Sequence, residues 1–259
     1  MDKIKYVNHL GESLDLRSGN IMSSYFALKN FVQSMSNNRL TSEGKSTPLL
    51  MVCLTKADAN KLIDVLEKDS IANEYGKFYI NDWYIEVIYQ GFTLIGEYGE
   101  KVKLEVNFYA DDTIFTKETV FNLSPSSAME TEWLNFPFGF PFNFGADKIS
   151  SARIVNNEVM DADFALSFMH ETPKVAVTIS GHQYNVDASI GSDEKFVLNT
   201  QKKEVYKQKG QEKASLFGAS SDDFYIFEPI KNGNHKVVWI GDFPVTVTVF
   251  EHRRTPKWI

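Results

Sequence analysis

Cysteine is almost missing from this chain of 259 residues: there is one, Cys53. No disulfide can close within the chain, which excludes a disulfide-stapled scaffold. Cys53 sits in the apolar run Leu49–Leu54 with no charge flanking it closely, so it reads as a buried core thiol and not as a nucleophile. Long apolar runs are absent too. No stretch of 18 apolar residues offers a membrane-spanning helix, and the first residues lack the basic and apolar regions of a signal peptide. Positive charge is in short supply: 27 Lys and Arg stand against 34 Asp and Glu, a net charge of -7. That balance argues against specific nucleic-acid binding.

Catalytic patterns are equally sparse. No glycine-rich phosphate loop follows a strand, and no nucleophile elbow occurs. His9, His170, His182, His235 and His252 are scattered, without the helical i, i+4 partner or the cysteine neighbours of a zinc site. The acidic pairs Asp111–Asp112, Asp161 with Asp163, and Asp222–Asp223 fall beside strand ends, where Asp serves turns. None has the ligand density of a calcium loop. The expectation is therefore a protein that is not an enzyme, with no catalytic residue, metal or cofactor.

Aromatic residues, by contrast, make up 14% of the chain, mainly through 20 Phe. Five alternate in LNFPFGFPFNFG, Leu134 to Gly145: Phe136, Phe138, Phe140, Phe142 and Phe144. A period of two belongs to extended chain, while Pro137 and Pro141 bar it from a central strand. Burying one Phe is worth roughly 1.5–3 kcal/mol, so the ribbon is expected to press against a neighbouring domain or subunit.

Elsewhere the patterning is mostly β. Tyr6 to Leu16 predicts two short strands around a Gly turn, and Leu49–Leu54 a strand buried on both faces. Thr55 and Asp58 give a capping-box spacing before the stripe Ala59, Leu62, Ile63, Leu66, which predicts the clearest helix, ending in solvent at Glu67, Lys68 and Asp69. Lys77–Ile80 and Trp83–Tyr89 flank the hairpin signal Asn81–Asp82, and Val102 to Phe108 alternates as a half-buried strand. Gln33 to Pro48 is too polar to fold alone and is expected to order against an adjacent subunit. From Val175 onward short strands and turn signals recur, as in a sandwich or jelly roll. The domains read as 1–133, a crossing segment 134–145, and 146–259.

Three stretches together resemble the distal tail protein (Dit) family of long-tailed bacteriophages. DSIANEYGKFYINDWY, Asp69 to Tyr84, is similar to that family's G-K-L-Y-x-x-D-x-Y hairpin; the Phe ribbon to its aromatic crossing segment; and Gly241 through Glu251 to Trp258 to its ERR-x-P-x-W close. The resemblance implies an N-terminal β-sandwich with one helix and an extended hairpin arm, and a C-terminal galectin-like β-sandwich. It further implies a homohexameric ring at the virion tail tip, assembled in the bacterial cytoplasm. The ring would join the tail tube protein to a tail-associated lysin, a fibre or a receptor-binding protein, with DNA passing through the lumen and no membrane inserted. Packing between domains or subunits is expected of the five ribbon rings with Trp83 and Tyr84. The alternative is a carbohydrate-binding module, for which Tyr184, Tyr206 and Trp239 are the candidate sugar contacts.

Overall fold

The computed structural model describes residues 3–17, 19–23, 45–112, 114–125, 148–220 and 223–255. It is mainly β, with antiparallel pairing throughout and one α-helix among the described residues. The chain divides into two compact units: Met1–Lys117 together with His252–Ile259, and Glu118–Glu251. The divisions fall after Lys117 and Glu251, and the crossing segment expected at 134–145 lies outside the described residues. Both crossings between the units lie inside unbroken strands, β8 (Phe115–Leu123) and β17 (Val245–Arg253).

In the first unit β1 (Ile4–Val7) pairs with β2 (Ser13–Asp15) around a turn whose Gly11 takes φ 84°. β1 also pairs with β5 (Gly76–Ile80), which pairs with the start of β6 (Trp83–Tyr98) across the Asn81–Asp82 turn. A second set runs β3 (Ile21–Ser23), β4 (Lys45–Cys53), β7 (Lys101–Ala110), then the far half of β6. β4 begins earlier than its apolar run, so Lys45 to Pro48 is strand and not loop. Pro48 is tolerated because β3 covers only Met51–Cys53, leaving the outer edge of β4 at Pro48 without a partner among the described strands.

The helix α1 (Lys56–Ala72) starts as its sequence dictates. The Thr55 hydroxyl accepts from the Asp58 amide at 3.1 Å and donates to the Asp58 carboxylate at 2.6 Å. Ala59, Leu62, Val65 and Leu66 bury against the core. The expected solvent end is wrong at Asp69, which is fully buried. It stands three residues beyond Leu66 and seven beyond Leu62, on the apolar stripe itself. Its carboxylate accepts the Tyr6 hydroxyl, the His9 amide at 2.9 Å, and the His9 ring through Nδ1. Burial, with Asp69 beside it, pushes the Tyr6 pKa far up, so this hydroxyl stays a donor. Gly76 is required beside it: a Cβ there would overlap the Tyr6 hydroxyl and the Asp69 carboxylate.

The second unit is a two-sheet sandwich. One sheet orders β15 (Glu212–Ser215), β14 (Glu204–Lys209), β13 (Lys195–Asn199), β10 (Asp163–Met169), β17 and β8; the other orders β12 (His182–Gln183), β11 (Val177–Ile179), β16 (Gly233–Ile240) and β9 (Ile149–Asn156). Phe164, Leu166, Phe196, Val247 and Val249 from one sheet share a core with Val177, Ile179, Val237 and Trp239 from the other.

A local charge cluster in this unit makes a testable pH statement. The Gly191 amide donates to Glu194 at 2.8 Å and Lys207 meets the same oxygen at 3.0 Å, which together hold the Glu194 carboxyl below the ordinary glutamate range. A depressed carboxyl adds stability above its unfolded pKa, and that contribution is lost as pH falls through its folded pKa. In Lys207→Met the Glu194 carboxyl carbon should titrate at higher pH, yet still below the ordinary range because the Gly191 amide remains. An unchanged NMR midpoint would contradict this.

Candidate assembly surface

The far half of β6 leaves the core. Residues Trp83–Ile85 and Val87 are buried, but from Gln90 the strand runs exposed or half-exposed to Tyr98. Among the described strands it pairs only with β7, from Ile88 opposite Tyr109 to Tyr98 opposite Lys101, and turns at Gly99, φ 66°. The register shifts between Tyr89 and Gly91 and again between Leu94 and Gly96, and such bulges sharpen a strand's twist.

Phe92, Leu94, Ile95 and Tyr98 are 44%, 50%, 47% and 70% exposed on this arm. Their partners on β7 are inside: Val106 opposite Phe92 and Leu104 opposite Leu94 are both buried. So the apolar pattern continues past the core that would justify it. Beyond Val87, no other described strand pairs with the outer edge of β6. A long edge strand with open amides and large apolar side chains is a template for another strand. It carries the exposed pair Lys56–Glu97 at 2.8 Å, worth little by itself. The sequence reading stopped this strand at Tyr89. Gly91 broke the pattern, although Phe92-Thr93-Leu94-Ile95 could have extended it.

The backbone of this chain superposes along nearly its full length on solved phage structures. The Dit protein of phage SPP1, described as a paradigm of the hub of the adsorption apparatus in phages infecting Gram-positive bacteria, matches at a TM-score of 0.53 and 11% identity, over 98% of this chain and 99% of that one. A chain of the phage P2 baseplate in its activated conformation with calcium matches at 0.60, and one from the strontium form at 0.59. Both are 11% identical and cover 99% of this chain and 100% of theirs. The fold is that of a phage Dit hub. No family model and no curated protein matches the sequence itself.

On this Dit-like fold the expected site residues scatter. The ribbon Phe136, Phe138, Phe140, Phe142 and Phe144 lies outside the described residues. Trp83 and Tyr84 are buried within the first unit, Trp83 under the Arg253 guanidinium at 5.5 Å and Tyr84 against Tyr79 at 5.3 Å with Lys77 at 4.1 Å. Tyr184 and Trp239 are 2% and 1% exposed, which removes both as sugar contacts. The Tyr184 hydroxyl donates to the Glu228 carbonyl at 2.8 Å, and Trp239 Nε1 to the Phe243 carbonyl at 3.0 Å. Alternation placed both on strands but could not tell the inner face from the outer one. Tyr206 alone lines an open recess, with Lys213 and Phe217.

The described histidines serve the structure. His235 Nε2 donates to the Lys231 carbonyl at 2.7 Å, and Nδ1 meets the Ser180 hydroxyl at 2.9 Å. His170 stacks on Phe243, and His252 reaches the Thr116 hydroxyl at 3.2 Å. Among the described residues no three His, Cys, Asp or Glu side chains are placed to hold a metal ion.

Proposed function

We propose that this chain is a structural hub subunit of a phage tail tip, which closes into a homohexameric ring through the β6–β7 arm. The ring joins the tail tube protein to a tail-associated lysin or a fibre or receptor-binding protein, and it performs no catalysis. What carries this reading is the match over 98–99% of the chain to Dit and baseplate structures, both units included. The arm supports the ring. The β6 edge and the outer edge of β4 are different surfaces, and pairing of unlike surfaces is head-to-tail, which closes into a ring when the rotation permits. Half-exposed Phe92 and Leu94 would each add about 1 kcal/mol of apolar burial per contact, repeated at every interface.

Light scattering on the purified protein tests this. The wild type should run at six times the 29.5 kDa of one chain. A Phe92→Glu, Leu94→Lys double variant should run as a folded monomer with an unchanged circular-dichroism spectrum, since both side chains already stand half in water. A monomeric wild type, or a double variant that assembles normally, would overturn the proposal.

A further inference from the structure

The second unit carries an open recess of about 280 Å³ between β14, β15 and the short helical turn at Phe217. Two of its walls are aromatic. Phe217 is 59% exposed yet held in place, its ring stacked on Phe227 at 5.8 Å and 2°. Phe227 is in turn met edge-on by Tyr225 at 5.9 Å. Tyr206 forms the other wall, with Lys213 Nζ 4.7 Å from its ring centroid. A ring braced behind and bare in front is a platform on which the apolar face of a ligand can lie.

The rim is cationic, against the balance of the chain. From Gln201 to Lys213 five lysines stand against two glutamates, in a protein whose net charge is -7. Two of these lysines are occupied: Lys207 pairs with Glu194 at 3.0 Å and Lys209 with Asp193 at 2.7 Å. Lys203 and Lys213 line the recess instead. Glu204 and Ser215 lie between them, offering acceptors and a donor.

We infer that this recess binds one unit of an acidic saccharide. The apolar C–H face of a pyranose would lie on Phe217, its hydroxyls would meet Glu204 and Ser215, and its carboxylate or phosphate group would sit between Lys203 and Lys213. The size fits: the volume lies at the small end of ligand pockets, enough for a sugar ring and too little for a helix or duplex. Lysine supplies point charge to such an anion without fixing its orientation, while stacking fixes the ring. The inference does not rest on the assembly reading; ring closure would only add avidity by presenting several copies.

Two-dimensional NMR or calorimetry on the full-length protein tests it, with trigalacturonate as the acidic probe. Maltotriose serves as the neutral counterpart and a thymidine tetranucleotide as the stacking polyanion. Trigalacturonate should saturate at or below about 1 mM, at least ~10-fold tighter than maltotriose. Phe217→Ala and Lys213→Gln, both at exposed positions, should each weaken it by at least ~10-fold with the melting temperature unchanged. No saturation with either sugar up to about 10 mM would overturn the inference. So would tighter binding of the tetranucleotide, or full binding by the two variants.

Discussion

Asp69→Ala is expected to cost about 3–5 kcal/mol, because it strips the shared acceptor from a buried cluster and orphans the Tyr6 hydroxyl and the His9 amide together. Those groups tie the end of α1 to the β1–β2 turn, so the damage should centre on the first unit. Asp69→Asn keeps the shape and one acceptor oxygen and should cost distinctly less. Gly76→Ala attacks the same cluster from the opposite side, by overlap, and should destabilise by at least about 1–3 kcal/mol. Urea unfolding of the three variants checks the set. A loss under about 1 kcal/mol for Asp69→Ala would show that the cluster is not the anchor its geometry makes it.

Trp239→Ala should be comparably severe in the second unit. The side chain is 1% exposed in the shared core of both sheets, and its Nε1 holds the Phe243 carbonyl. Truncating a buried Trp costs about 3–5 kcal/mol, or roughly 10–20 °C in the melting temperature of a unit this size. A surface sugar platform would behave in the opposite way, losing ligand with the fold intact. Calorimetry decides: a shift of only about a degree would mean the ring is not core.

Elements with a strong local signature were legible in the sequence. The Thr55–Asp58 cap, the Asn81–Asp82 turn and the β7 alternation all form as their spacing requires. What failed was the step from pattern to environment. Asp69 lay on the helix stripe, but its charge pointed outward until its partners Tyr6 and His9, 63 and 60 positions away along the chain, were placed beside it. Tyr184 and Trp239 carried no mark distinguishing an inner from an outer face, which only the second sheet supplies. The arm failed for the reverse reason. Phe92, Leu94 and Ile95 look like core, and nothing local reveals that among the described strands β7 alone supports them.

The two crossings within β8 and β17 also set the order in which the chain can finish folding. Everything the second unit needs, Glu118 to Glu251, is one continuous piece. The first unit must wait for His252 and Arg253 to reach Thr116 and Trp83, contacts spanning 136 positions in one case. The second unit can therefore close from one continuous stretch, while the first depends on a long-range contact. That puts the slow step, the long-range closure that limits folding rate, in the unit carrying the exposed arm. The apolar edge would then become firmly presented only after that closure.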